Sequence, residues 1–170
     1  MTEFSGLAKL LEDLAEAGQT VAVAESLTGG LLAATIVEVP GASRVFRGGA
    51  VTYATDTKSE VLGVDPALLA VEGPVHPEVA AQMAALVAAR FSADFGLSCT
   101  GVAGPEPQDG KPVGLVYIAI ATGDAESGSV EVRELRLAGT RDEIRSQVVD
   151  QALELLASVW EDLDSSTGYA

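Results

Sequence analysis

The stretch TVAVAESLTGGLLAATIV, residues 20–37, contains an apolar segment, a turn with two adjacent glycines and a second apolar segment. The first segment, residues 20–24, is short and contains two valines, which is typical of a buried β-strand. The second segment, residues 28–37, is long enough for a helix and ends before Pro40. A strand that leads through a glycine-containing turn into a helix is a building unit of parallel sheets. The stretch therefore predicts an α/β fold.

The same alternation extends along the chain in both directions. Further helices are predicted at residues 5–17, 77–91 and 140–159, short helical turns at 57–62 and 66–70, and further strands at 49–54, 95–99, 113–121 and 129–137. Helices between the early strands indicate parallel crossovers, whereas two adjacent late strands indicate an antiparallel hairpin. We therefore expect one three-layer α/β/α sandwich with a mixed, mostly parallel sheet over residues 1–160. A polar, disordered tail is expected over residues 161–170.

The composition narrows the class of protein. Of 170 residues, 48% are hydrophobic, which is enough for a core and excludes a mainly disordered chain. The net charge of −15 predicts no direct nucleic-acid partner and no binding to anionic membranes. No apolar run is long enough to span a bilayer, and acids stand where a signal peptide would be basic. Together with a single cysteine, these features predict a cytoplasmic protein.

Ser26 stands in the turn after the first predicted strand, and Thr28, Gly29 and Gly30 open the helix that follows. Open α/β sheets bind ligands where their strands end, and the free amides of a helix N-terminus can hold an oxyanion or a phosphate. A serine in this position can act as a nucleophile, but serine is also an ordinary helix cap. The local pattern alone favours the cap.

Tyr53 and Lys58 follow the next predicted strand. A lysine with a pKa of about 10.4 is almost fully charged at pH 7. Desolvation beside a nucleophile lowers the pKa of such a lysine and makes its amine a usable general base. Tyr53 could then orient the lysine or relay a proton. The local pattern alone favours the alternative, a solvated lysine and a tyrosine packed against the sheet.

A glycine-containing loop follows the strand predicted at residues 95–99. A ligand could approach the backbone of this loop, as in phosphate-binding loops, at Thr100, Gly101, Val102, Ala103 and Gly104. The same residues also suit any tight turn. Cys99 ends an apolar strand without a histidine near it in the sequence, which predicts a packed, unreactive thiol.

Three further side chains could meet a ligand. Arg141 and Arg145 lie one helical turn apart and could bind a phosphate or carboxylate, although pairing with neighbouring acids is the favoured alternative. His76 precedes a predicted helix, where a lone histidine commonly caps the helix or lies on the surface. Because His76 is the single histidine, a histidine-rich zinc site is impossible. We predict neither a metal nor a cofactor.

Several motifs, taken together in order and spacing, resemble one protein family. They are AESLTGG (24–30), VPGAS (39–43), YATDTK (53–58), LGV (62–64), TGVAGP (100–105), KPVG (111–114), and GTR (139–141) with Arg145. The resemblance is to the CinA C-terminal domain family, whose stand-alone enzymes are nicotinamide mononucleotide deamidases. It covers residues 5–160. Several motifs matching in order are a much more specific signal than any one of them.

The resemblance implies an amidohydrolase of pyridine nucleotide recycling, which converts nicotinamide mononucleotide to nicotinate mononucleotide and ammonia. By position, it implies that Ser26 is the nucleophile, Lys58 its base and Tyr53 an assisting hydroxyl. The amides at residues 28–30 are the expected oxyanion site. The loop at residues 100–104 and Arg141 are expected to hold the phosphate of this small nucleotide substrate. The resemblance also implies a possible homodimer.

The sequence departs from the family pattern at two places. Leu27 replaces the usual cysteine after the serine, and GPVH at residues 73–76 replaces the usual GAVS, so His76 stands where a serine is expected. These changes leave open an alternative function, a catalytically weak or inactive domain that binds a nucleotide or a protein. The nucleotide-pyrophosphatase-like domain of full-length family members does not occur in this sequence, so we expect none of its activity here.

Overall fold

Six helices and five strands make up the computed structural model, which describes residues 4–123 and 128–167. The helices are α1 (Leu7–Glu16), α2 (Leu31–Val37), α3 (Thr55–Thr57), α4 (Pro66–Glu72), α5 (Pro77–Phe91) and α6 (Arg141–Thr167). A 3₁₀ turn, Ala42–Arg44, follows α2, and a π-helical turn, Lys58–Leu62, follows α3. The strands are β1 (Val21–Glu25), β2 (Phe46–Val51), β3 (Phe95–Gly101), β4 (Leu115–Thr122) and β5 (Ser129–Arg136).

The five strands form one sheet in the order β2-β1-β3-β4-β5. Strand β1 is parallel to its neighbours β2 and β3, whereas β4 is antiparallel to β3 and to β5. Four strands therefore point the same way and β4 runs against them. This arrangement confirms the predicted mixed, mostly parallel sheet with an antiparallel hairpin at its end.

Side chains of β1 alternate between the two faces of the sheet, and helices cover both faces. Val21 and Val23 lie in the larger core, to which α1, α2 and α6 contribute. Ala22 and Ala24 lie in a second core with Met83 of α5. Because successive strand residues point to opposite faces, the run of apolar residues supplies both cores at once. The predicted three-layer α/β/α arrangement is therefore confirmed.

Strand β2 starts and ends three residues before the predicted positions, 49 and 54. Gly48 and Gly49, which mark the predicted start, lie inside the strand. A Cβ atom added at Gly49 would lie 2.6 Å from the Val23 side chain, and one added at Gly48 would lie 2.7 Å from Phe91. These glycines let β1 and α5 pack closely against β2, and the predicted start of the strand at residue 49 was wrong by three residues.

Helix α6 begins with a capping box formed by Thr140 and Glu143. The Glu143 carboxylate accepts a hydrogen bond of 2.7 Å from the Thr140 amide, and the Glu143 amide donates one of 3.4 Å to the Thr140 hydroxyl. The helix continues to Thr167, eight residues beyond its predicted end at residue 159, and residues 168–170 lie outside the described part. Trp160 lies just beyond the predicted end of the helix. It is buried and packs edge-on against Phe95, with ring centroids 6.3 Å apart, which holds the helix against the core past residue 159.

None of the helices in the described ranges combines the length and the apolarity needed to cross a bilayer.

Candidate active site

A cleft of about 120 Å³ lies where β1, β2 and β3 end. Because these three strands are parallel, their carboxyl ends meet at one edge of the sheet, and the segments after them come together. The predicted site residues that line the cleft are Ser26, Tyr53, Thr100, Gly101, Val102, Ala103, Gly104 and Arg141. Five lining residues were not predicted as site residues: Leu27, Pro74, Val75, Glu106 and Gln108.

Ser26 and Lys58 form a buried hydrogen-bonded pair. The Lys58 Nζ atom lies 3.0 Å from the Ser26 Oγ atom and donates a second hydrogen bond, of 2.6 Å, to the Thr52 carbonyl oxygen. Lys58 is completely buried, and Ser26 is 8% exposed. Within the described ranges, no carboxylate lies close enough to Lys58 for an ion pair. The two side chains therefore lie within proton-transfer distance, and the alternative of a solvated lysine is wrong.

Burial sets the protonation of Lys58. Removal from water disfavours the charged amine and lowers the pKa of Lys58 to about 8, although the nearby Cys99 side chain acts in the opposite direction. With this pKa, about one lysine in ten is neutral at pH 7, compared with about one in a few thousand for a free lysine. The pair thus contains an amine that can accept a proton near neutral pH.

We expect the variant Lys58→Met to reveal this pKa through the pH dependence of stability. Between pH 8 and 10.5 the unfolded chain binds more protons than the folded chain at this position, so folded-state stability rises with pH. The free energy of unfolding of the wild type, relative to Lys58→Met, should increase by about 3 kcal/mol across this window.

Urea denaturation at several pH values from 7 to 10.5 measures this difference, because other titrations largely cancel between the two proteins. Lys9→Met is the matched control, since Lys9 is exposed on α1, and it should show no increase over the same window. A difference between wild type and Lys58→Met that stays constant with pH would contradict a lowered pKa of Lys58.

Ser26 does not cap α2, although the local pattern favoured that role. The N-cap residue is Gly30, and α2 starts at Leu31, three residues after the predicted start. Its first amides are instead bound by Glu25, which precedes the serine and is completely buried. The Glu25 carboxylate accepts hydrogen bonds from the amides of Gly30 at 2.9 Å, Leu32 at 3.0 Å and Ala33 at 2.8 Å. A side chain at the end of β1 thereby fixes the turn that holds Ser26.

This arrangement corrects the predicted oxyanion site. The Gly30 amide is bound to Glu25, and the Gly29 amide donates to the Ser26 carbonyl oxygen at 3.1 Å. Thr28 is completely buried, and its hydroxyl lies 3.0 Å from the Cys99 sulfur. Thr28, Gly29 and Gly30 are not among the described residues that line the cleft. The Gly29 and Gly30 amides are therefore used inside the protein, and Thr28 is too deeply buried to contact a ligand in the cleft.

Replacing Glu25 with glutamine should lower the free energy of unfolding by about 2–4 kcal/mol. The glutamine amide group presents N–H donors to the helix amides, so at least one buried donor loses its acceptor and the others lose a charged partner. Thermal or urea unfolding measures the change. Glu38→Gln is the matched control, because Glu38 is exposed at the end of the same helix, and it should change stability by less than about 0.5 kcal/mol.

A Glu25→Gln protein as stable as the Glu38→Gln protein would show that the three hydrogen bonds of Glu25 contribute little.

Tyr53 and Arg141 meet across the cleft. Tyr53 is 58% exposed, so the predicted alternative of a tyrosine packed against the sheet is wrong. The Tyr53 hydroxyl accepts a hydrogen bond of 2.7 Å from Arg141, which also donates one of 2.7 Å to the Gly104 carbonyl oxygen. In the described part of the chain, the hydroxyl forms no hydrogen bond with Lys58 or Ser26. Tyr53 thus lines the same cleft as Ser26 without a hydrogen bond to the pair.

The remaining predicted residues have structural roles. Cys99 is buried as predicted, and burial, together with the Glu25 carboxylate, raises the pKa of its thiol to about 12. His76 caps α5 by accepting a hydrogen bond of 3.2 Å from the Glu78 amide. Arg145 donates hydrogen bonds of 3.1 and 2.7 Å to the carbonyl oxygens of Leu27 and Thr28, so it supports the turn that holds Ser26.

Comparisons with known proteins identify the relatives of this chain. The family model of the CinA C-terminal domain matches residues 5–160. A CinA-like protein of Frankia casuarinae is 50% identical over 153 residues, which are 90% of this chain and 34% of that protein. A putative competence-damage inducible protein of Geobacillus kaustophilus is 46% identical over 154 residues, 88% of this chain and 36% of that protein. The chain thus spans about a third of the length of the curated relatives it matches.

Solved structures resemble the whole domain. The crystal structure of the competence/damage inducible protein CihA from Agrobacterium tumefaciens has a TM-score of 0.84 and 38% identity, covering 93% of this chain and 98% of that chain. A CinA superfamily protein from Enterobacter cloacae has a TM-score of 0.85 and 28% identity, covering 93% of each chain.

Proposed function

The chain belongs to the CinA C-terminal domain family, and on this premise we propose that it is a serine amidohydrolase that converts nicotinamide mononucleotide to nicotinate mononucleotide and ammonia. The observation that carries the proposal is the buried pair of Ser26 and Lys58, which are joined by a hydrogen bond of 3.0 Å, with Ser26 lining the cleft and Lys58 buried behind it. A nucleophile within hydrogen-bond distance of a base is the arrangement that covalent amide hydrolysis needs.

In the acylation step, the neutral Lys58 amine accepts the hydroxyl proton of Ser26 while Oγ forms a bond to the carboxamide carbon. The resulting tetrahedral oxyanion collapses, the bond from carbon to nitrogen breaks, and the Lys58 ammonium gives its proton to the departing ammonia. The product is an ester of Ser26. Water then attacks the ester carbon and loses its proton to Lys58, and Ser26 regains a proton as the carboxylate leaves.

Leu27 supplies the backbone amide best suited to the oxyanion. Among the described residues, this amide forms no hydrogen bond, and Leu27 lines the cleft next to the nucleophile. An amide on the residue after the nucleophile is a recurring part of oxyanion holes in serine hydrolases. This assignment replaces the amides of residues 28–30, which are engaged elsewhere or lie outside the cleft lining.

Ala103, Gly104 and Arg141 are the proposed phosphate site. The Ala103 and Gly104 amides form no hydrogen bond within the described ranges, and both residues line the cleft. Arg141 donates only to uncharged oxygens, so its charge is not neutralised by a carboxylate. Backbone amides next to a guanidinium group suit a phosphate. We propose that Tyr53 assists by holding Arg141 at the cleft.

The direct test is to incubate the full chain with nicotinamide mononucleotide and measure ammonia release and nicotinate mononucleotide formation. We expect both products in equal amounts. Binding of the nucleotide without product would overturn the proposal and favour the binding module that is the alternative function. The homodimer implied by the family resemblance stays a prediction.

A further inference from the structure

The cleft carries two opposite charges that do not pair with each other. Glu106 lies in the loop after β3, Arg141 begins α6, and both line the cleft. In the described part of the chain, neither side chain lies within 4.0 Å of an opposite charge, whereas Arg133, Arg136 and Arg145 all lie that close to acids. A cavity that presents one unpaired carboxylate and one unpaired guanidinium group is complementary to a dipolar ligand.

Resting on the proposed function, we infer that Glu106 is a specificity-determining residue that selects a positively charged, N-alkylated pyridine ring over an uncharged ring. The proposed substrate is dipolar: its ring nitrogen carries a full positive charge, and its phosphate is negative. Once Arg141 binds the phosphate, the ring with the carboxamide lies toward Ser26 in the same cleft. The carboxylate of Glu106 is the acid that lines this cleft in the described structure.

The size of the cleft makes this attraction effective. Ser26, where the carboxamide is placed, and Glu106 line the same small cleft of about 120 Å³. A ring inside the cleft therefore experiences the Glu106 charge with little screening. Because Glu106 is exposed, the gain stays modest, about 3- to 5-fold in affinity, as for other exposed charge pairs.

The experiment compares nicotinamide mononucleotide with its reduced dihydropyridine form, which has the same carboxamide and phosphate but an uncharged ring. For the wild type and Glu106→Gln, we would measure kcat and KM for the oxidised form and the inhibition constant of the reduced form. We expect Glu106→Gln to raise KM for the charged form about 3- to 5-fold, with kcat and the inhibition constant unchanged. The increase should disappear at high salt.

Asp109→Asn is the matched control. Asp109 belongs to the same loop and also carries a negative charge, but it does not line the cleft, so its variant should bind both forms like the wild type. Equal changes for the charged and uncharged rings, or no change for either ring, would overturn the role of Glu106.

The inference about Glu106 can be tested even if the chain does not hydrolyse nicotinamide mononucleotide. If the wild type releases no ammonia, calorimetric binding of the two forms still decides the inference. A preference for the charged ring that is lost in Glu106→Gln would support the inference, and equal binding of both forms by the wild type would overturn it.

Discussion

Replacing Ser26 with alanine should reduce ammonia release from nicotinamide mononucleotide by at least about 10³-fold, because the variant lacks the atom that attacks the carboxamide. The fold should persist. Ser26 is small, and without its hydroxyl the Lys58 amine still donates to the Thr52 carbonyl oxygen. Steady-state assays at substrate concentrations above KM, with circular dichroism of both proteins, measure the effect on kcat and on folding.

Ser43→Ala is the matched control for this experiment. Ser43 is exposed in the 3₁₀ turn Ala42–Arg44 and does not line the cleft, so its variant should keep the wild-type rate. If Ser26→Ala also keeps that rate, hydrolysis does not proceed through the serine and the proposed mechanism fails.

Lys58→Arg should abolish turnover to a comparable degree, about 10³-fold or more. A guanidinium group keeps the positive charge and cannot lose its proton in the accessible pH range, so it cannot act as a base. In the wild type, kcat/KM should rise with pH and level off above pH 8, because the active form is the neutral amine and burial lowers the pKa of Lys58 to about 8.

Lys9→Arg provides the control, since Lys9 is an exposed residue of α1 that pairs with Asp13. Its rate and its pH profile should match those of the wild type. A profile that is flat from pH 6.5 to 9.5, or near-normal turnover by Lys58→Arg, would remove the lysine from the mechanism.

The strand order makes the pairing of Ser26 and Lys58 predictable in outline. Both residues follow parallel strands that are neighbours in the sheet, so the topology brings them to the same edge. Their actual contact depends on Lys58 turning inward, which no local pattern indicates. In isolation, the motif of Lys58 therefore favoured a solvated lysine, and the resemblance of several motifs in order was the informative signal.

Glu25 is the residue that the sequence analysis missed. An acid at the end of a buried apolar strand is unusual, and this position was the available signal. The pattern of residues 28–30 instead predicted a free helix start, because glycines permit many uses of a turn. Which acceptor binds the first amides of α2 depends on side-chain geometry and cannot be derived from residue spacing.

The three hydrogen bonds of Glu25 also bear on how a nucleotide would enter the cleft. In many α/β proteins, the helix after the first strand attracts a phosphate at its open N-terminus. Here an internal carboxylate already occupies that position. An anionic group approaching β1 would meet a like charge, so the phosphate is expected to point toward the start of α6. We therefore expect this internal carboxylate, and not surface residues alone, to set the direction in which a dipolar ligand lies.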